Sequence, residues 1–438
     1  MPSILSLNQA LQTLFFEIAP SLAAEEGVIK RQRCFSASSL FMVLVLGWLQ
    51  YPQAGPSQLA RFAHTVGVKI SKQALAQRLT FVTAAWLKRV LEQAVMLLVR
   101  STPLAHGLLE RFSAVIIEDA SRIQLPASLV SHWKGPRGTP SALKFAVRWD
   151  LRSGQLEGPC LQDGSEHETH NAVHQMVLPE NSVYIADTGY CTFSFLKQLD
   201  KERRFFIVRL RGNGVVSTLD GHRLDLAALL RAQGDRITDL TVRFGSLPSL
   251  WFTARLIARP VSDSAARHQR EKRAREARKH GYDPSPTAQA TAGWILLVTN
   301  VPAELGKAEE IVMLYRTRWQ IELLFKLWKS QGCVDEWKSC HPEQILCELY
   351  AKLLAMLVQH WTVVASCWED PYRSFTSLAE LVRSHVPFLL QGLLGHFPLQ
   401  AVLLFLGEAL FSSASIPARK KRPSTAHQLV DGLFRGLT

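Results

Sequence analysis

A chain of 438 residues with 47% apolar content is long enough for about two or three domains and too apolar for a disordered tail or linker protein. Its 50 lysines and arginines outnumber 37 aspartates and glutamates, and the net charge of +13 directs it to a polyanion, either nucleic acid or an acidic membrane surface. The apolar run Leu40–Leu49 is too short to span a bilayer, and the later run Val386–Leu410 is interrupted by His396, Pro398 and Gln400, so both read as core helix and no membrane role is expected. The 7 cysteines include no CxxC pair, and an odd count without a secretory signal points to a reducing cytoplasm. Cys333, Cys340 and Cys347 recur at seven-residue intervals, as buried helix positions do.

Residues 1 to about 105 read as helical, with apolar spacing over Asn8–Ile18, Ser38–Gln50 and Trp86–Val99. Between the last two, Ser57 is placed to cap a helix to about His64, Gly67 breaks it, and Ser71 is placed to cap a second helix through Arg78. That is the outline of a helix-turn-helix offering Lys72, Gln73, Gln77 and Arg78 to DNA; an ordinary helical hairpin has the same outline. From about Ala114 the pattern changes to short strands. Ala114–Ile117 runs into Glu118-Asp119; Leu143–Leu151 alternates and pairs with Gln155–Leu161 through the Ser153-Gly154 turn; Ser182–Ala186 ends in Asp187-Thr188-Gly189-Tyr190. Phe193–Leu199 reads as helix, Arg204–Leu210 as strand and Trp294–Thr299 as buried strand. Residues of about 212–292 read as an insertion with extra β structure and a basic arm, Arg267–His280, which carries seven Lys/Arg. Such a run is often a solvated helix, but its nearly one-sided charge favours phosphate contact through Arg270, Lys272, Arg273 and Arg275. Helices return after about 340, over Pro342–Val364 and Ser377–Leu390, and the tail Arg419–Pro423 is basic.

Tyr315–Lys329, which lacks Gly and Pro, reads as one helix. Arg318, Glu322 and Lys329 follow Tyr315 at offsets of 3, 7 and 14, so on a single helix the four fall within about 60° of arc over about 21 Å. Trp319, Phe325 and Trp328 on neighbouring faces predict that this helix is well packed. A carboxylate between a guanidinium and an ammonium suits a site that handles phosphate and metal together.

The pattern Tyr-x2-Arg-x3-Glu-x6-Lys resembles the signature of the IS-four family of DDE transposases, the cut-and-paste enzymes of bacterial insertion sequences. The segments around Asp119 and Asp187 resemble that family's two aspartate-bearing strands, Glu118 being the rival of Asp119. Adjacent strand residues point to opposite faces, so only one of that pair can face a site. Each acid taken alone is also an ordinary turn residue. The resemblance implies an α/β architecture with an RNase H-like catalytic core, residues 106–340 with the insertion at about 212–292. A helical DNA-binding domain, 1–105, and a helical C-terminal region, 341–438, would flank it. It implies that Asp119, Asp187 and Glu322 are catalytic and hold Mg²⁺, with Mn²⁺ as a substitute. Tyr315, Arg318 and Lys329 would hold the DNA end, and Trp294 would stack on a flipped base, although strand propensity alone makes Trp294 a core residue. The partners implied are double-stranded transposon ends and target DNA, with a homodimer forming the synaptic complex, in a bacterial cytoplasm and associated with the nucleoid. A stand-alone Mg²⁺ nuclease with the same core and a non-catalytic DNA-binding repressor are the alternatives. His167, His170 and His174 have i, i+3, i+7 spacing suited to zinc on a helix, but their segment is polar, Gly-flanked and not HExxH.

Overall fold

Side-chain caps start three of the six N-terminal helices. The computed structural model describes residues 2–29, 35–104, 107–190, 192–210, 216–245, 250–279, 281–370, 372–413 and 429. The chain opens with α1 (Pro2–Gln12), α2 (Ala19–Glu25), α3 (Ala37–Gln50), α4 (Pro56–Thr65), α5 (Lys72–Ala76) and α6 (Phe81–Ala94). Ser36 and Ser39 form a reciprocal capping box at α3, while Ser71 and Thr80 cap α5 and α6. Gly67, at φ 80°, makes the turn after α4. The second helix of that pair stops at Ala76, short of the expected Arg78.

Strands then alternate with helices: β1 (Val115–Leu125), β2 (Ser141–Asp150), β3 (Leu156–Asp163), α7 (Ala172–Gln175), β4 (Val183–Ala186), α8 (Phe193–Lys201), β5 (Phe205–Arg209), β6 (Val216–Ser217) and α9 (Leu226–Gln233). They continue with β7 (Thr238–Phe244), β8 (Phe252–Pro260), α10 (Asp263–Lys279), α11 (Pro286–Thr291), β9 (Trp294–Thr299), α12 (Ala308–Arg316) and α13 (Trp319–Ser330). Four helices close the described chain: α14 (Pro342–Cys367), α15 (Phe375–Ser384), α16 (Val386–Leu393) and α17 (Leu399–Ser413). None of the described helices is long and apolar enough to cross a membrane. The basic tail Arg419–Pro423 lies outside the described residues.

The chain divides into two units, one made of the described residues of 1–104, 120–175 and 321–417, the other of those of 105–119, 176–320 and 418–438. In the first, α14 is buried on every side from Ile345 to Ala365, which its nearly unbroken apolar sequence requires. Helices α1, α3, α6 and α17 pack around it. Its charged interior residues are paired: Lys352 Nζ meets Glu348 at 2.7 Å and donates to the carbonyls of Cys333 and Glu336. The predicted hairpin is β2–β3, antiparallel. It turns at Gly154, where a Cβ would come within 2.6 Å of Trp368.

In the second unit the first half of β1 pairs parallel with β4, and β4 parallel with β5. Beyond β5 the sheet is antiparallel, in the order β5-β9-β8-β7-β6. The residues between β5 and β9, read from sequence as an insertion, thus extend the sheet. One face carries a core of Ile116, Tyr184, Phe206, Val208, Leu256 and Val298, covered by Leu196 and Leu199 of α8 and Leu226 and Leu230 of α9. Helix α12 packs on β4, β5 and β8. Buried Arg255 joins β8 to Asp239 of β7 at 3.1 and 2.5 Å and to the carbonyls of Val301 and Gly306. The result is the mixed α/β class with helical flanks that the sequence predicts.

Candidate active site

The two aspartates are set side by side by strand register. Glu118 of β1 pairs with Ala186 of β4, so the next residues, Asp119 and Asp187, are neighbours across a parallel pair. Strand alternation places both on one face, with Ile117 and Ile185. Glu118 faces the other way, with Ile116, and has 0% exposure, whereas Asp119 and Asp187 are partly open to solvent. Strand β1 does not end at this pair as expected; it continues to Leu125. Strand β4 does end at Ala186, and Thr188–Tyr190 forms a single 3₁₀ turn behind Asp187.

Two signature residues bind these carboxylates. Arg318 Nη1 donates to Asp119 Oδ2 at 3.3 Å, and the Tyr315 hydroxyl donates to Asp187 Oδ1 at 3.3 Å. Burial by itself raises the Asp187 pKa. The Thr188 backbone N–H, then Arg318 and Arg209, outweigh it and hold the carboxyl below its ordinary value. Tyr315 is pushed above its ordinary value by burial and then by Asp187, so its phenol stays protonated and able to donate.

The signature is not one helix. Helix α12 ends at Arg316 and α13 begins at Trp319, so the common arc expected for Tyr315, Arg318, Glu322 and Lys329 does not apply. The Thr317 hydroxyl donates to the Leu314 carbonyl at 2.6 Å, a local bond that competes with helix propagation at the break. Trp319 is 54% exposed, so the expectation that it packs is also corrected. Phe325 and Trp328 do pack, against Phe145 in the first unit, at 5.3 and 5.8 Å between ring centroids. In that unit Glu322 lies in the first turn of α13, half-buried, and Lys329 Nζ donates to the Arg122 carbonyl at 2.8 Å. Burial lowers the Lys329 pKa, with Asp335 opposing.

The remaining sequence-derived residues are distributed more widely. Trp294 opens β9, half-buried, on the same strand face as Leu296 and Val298 and packed against their core. On α10, Arg270, Lys272 and Arg275 are exposed. Arg273 turns inward to bond Ala288 O and Thr291 Oγ1, pinning α11. With Arg278, three of these arginines line an open cleft of about 570 Å³ between α10 and the segment Pro284–Gln289. Lys72 is exposed on α5, and the Arg78 guanidinium lies 5.2 Å from the Phe35 ring centroid. Of the three histidines, His167 Nδ1 contacts Thr169 at 2.8 Å, His170 sits in the same short turn, and His174 is buried on α7. Among the described residues no group of three or more His, Cys, Asp and Glu stands in metal-binding geometry. Sequence reasoning missed Arg209, which is in register beside Asp187 at the end of β5. The signal was available, since this arginine ends an apolar strand just as the aspartates follow theirs.

The family model for the transposase DDE domain matches residues 110–358, more than half of the chain. The chain belongs to the DDE transposases. Relatives align with half to four fifths of its length. The transposase for insertion sequence element IS231E of Bacillus thuringiensis subsp. finitimus is 26% identical over 376 residues, which cover 80% of this chain and 77% of the relative. The transposase for insertion sequence element IS1151 of Clostridium perfringens is 23% identical over 368 residues, covering 79% and 77%. The putative transposase InsL for insertion sequence element IS186A of Escherichia coli is 30% identical over 227 residues, covering 50% and 60%. The matched region contains both aspartates and all four signature residues, and a DDE domain implies an RNase H-like core for this transposase.

Proposed function

We propose that this transposase excises an insertion sequence and joins it to target DNA by Mg²⁺-dependent phosphoryl transfer at the Asp119–Asp187 face, with Mn²⁺ as a substitute. The observation that carries the reading is the pair of neighbouring aspartates with Arg318 and Tyr315 bound to them. The donor set fits a hard divalent cation: two carboxylates share one face, and Asp187 is held ionised. Glu322, four residues beyond Arg318, is the proposed third ligand. Bound there, Mg²⁺ would activate the attacking hydroxyl and stabilise the leaving 3′-oxygen. Arg318 brings a planar fork and Tyr315 a protonated phenol to the same phosphate, and Lys329 adds a point charge to the backbone.

The proposed sequence of events is a nick at the transposon end, a hairpin closed by the freed 3′-hydroxyl, opening of the hairpin by water, and joining to target. Trp294 is the proposed stacking partner for a base displaced by the hairpin, with exposed Trp319 as a second aromatic surface beside Arg318. Residues 1–105 are the proposed DNA-binding domain, with α4 and α5 as a helix-turn-helix presenting Lys72 and Arg78. Residues 106–340 form the catalytic domain, its insertion at about 212–292 carrying the exposed Arg270, Lys272 and Arg275 toward the DNA backbone, while Arg273 holds α11 in place behind them. Region 341–438 is assigned to pairing two protomers across two transposon ends, and exposed Phe405 and Phe411 on α17 offer an apolar surface for it. Such an enzyme works at the bacterial nucleoid.

The test is a labelled transposon end incubated with Mg²⁺ and target DNA. Joined products distinguish a transposase from a nuclease that only cuts, and Mg²⁺-dependent nicking excludes a non-catalytic repressor.

A further inference from the structure

Four strands set a row of charged residues along one rim of the second unit's sheet. Strands β1, β4 and β5 are parallel, and β8 runs the same way, because β5 and β8 both pair antiparallel with β9. Ala186 is opposite both Glu118 and Val208, so Asp119, Asp187 and Arg209 follow side by side. Arg209 is opposite Leu297, Leu297 is opposite Ile257, and Arg259 lies two residues beyond Ile257. Directly opposed residues, and residues two apart on a strand, share a face. Asp119, Asp187, Arg209 and Arg259 therefore stand on one face, the one that receives Tyr315 of α12. Across the sheet, Arg259 is three strand spacings from Asp187, about 14 Å.

Like charges are gathered along this rim. Arg316, the last residue of α12, is close enough to Arg259 to act on it. Burial first, and then the Arg316 charge, hold the half-buried Arg259 below its ordinary pKa. Arg209 stands in the same relation to Arg273, where Glu276 partly offsets the repulsion. Two half-buried guanidinium groups brought near each other on one face would both attract an anion placed between them.

We propose that Arg259 and Arg316 form a phosphate-binding position for the DNA backbone, so that the strand leaving the catalytic aspartates runs along the rim past Arg209 to β8. Nothing in the signature pattern marks this position. It rests on the reading of Asp119 and Asp187 as the cutting site, because that reading fixes where the strand starts. DNA phosphates fit the geometry because the cations form a line that continues from the acids, as successive phosphates of one strand would require.

The experiment is binding of the full chain to a fluorescein-labelled duplex of mixed sequence over a range of salt concentrations. In R259Q the log–log salt slope is expected to fall by about 0.9, the value of one duplex phosphate contact, with weaker binding at low salt. In R259K the slope is expected to stay at the wild-type value. An unchanged slope in R259Q overturns the proposal. So does an R259K variant that loses as much slope as R259Q, since the side chain would then act through packing. Single neutral methylphosphonates along a duplex bearing the transposon end, which fixes the register, locate the contact: one position must weaken wild type and leave R259Q unaffected, and finding none overturns the proposal. Mg²⁺-dependent nicking by the wild type is read in parallel. Its failure would refute the catalytic reading, and with it the path of the strand, while a slope loss confined to R259Q would still identify Arg259 as a phosphate contact.

Discussion

Asp119 and Glu118 are adjacent in the chain and opposite in environment. Glu118 is sealed on the core side of β1, and Asp119 faces Arg318. Replacing Asp119 or Asp187 by Asn, or Glu322 by Gln, keeps shape and removes a carboxylate proposed as a metal ligand. Each is expected to abolish nicking of a labelled end and to leave end binding intact. E118Q is expected to retain nicking in whatever fraction folds; loss of nicking in a folded E118Q, with activity retained in D119N, would exchange their roles. The choice between these two was only partly legible in sequence. Alternation said that one must face the site, but which one depends on the strand's neighbours. A second residue-scale prediction concerns the buried imidazole of His360. Burial, with Arg373 adding to it and the bond to the Gly154 carbonyl opposing, lowers its pKa from 6.5 to about 4. Between those values the unfolded chain binds the proton and the folded chain does not, so stability falls as pH drops through that window, by about 3 kcal/mol in all. Denaturant midpoints against pH should be flatter for H360Q, and identical profiles for the two proteins would contradict the assignment.

At the scale of elements, the signature's spacing pointed to two residues that meet the aspartates, Tyr315 and Arg318, and was misleading as geometry. Its spacing identified Tyr315, Arg318, Glu322 and Lys329, because the residue types and offsets lie in one short stretch. Its helix break was hidden, because no Gly or Pro marks it and the Thr317 back-bond is available at many threonines. The strand before Asp187 and the β2–β3 hairpin were readable from local apolar runs and turn residues. The length of β1 was not, since Glu118 and Asp119 look like a strand end. Trp294 remains the residue whose element and role pull apart: it sits with the core, half-buried, at the start of β9. If it stacks on a displaced base, W294A should leave the first nick nearly intact and impair hairpin formation or opening, since an aromatic platform contributes about 1–3 kcal/mol per base. Uniform loss of every step together with a lowered melting temperature would assign it to the core alone.

For the molecule as a whole, composition was a reliable guide to partner class, because net charge sums over the surface and does not depend on packing. Long-range packing was beyond it. Nothing local tells α1 to place the Ser3 hydroxyl 3.1 Å from the Ala365 carbonyl, or Trp86 to donate to the Ala19 carbonyl, yet such contacts bind the N-terminal and C-terminal helices of the first unit around α14. Nor does any local pattern say that the region read as an insertion continues the sheet through β8 and β7. The central claim is that the carboxylates beside Arg318 and Tyr315 cut and join DNA. The most direct measurement follows a labelled transposon end with target DNA and Mg²⁺, comparing wild type with D187N. The account predicts nicked, hairpin and joined products from the wild type and bound but uncut DNA from D187N. Cleavage and joining by D187N at the wild-type rate would contradict it.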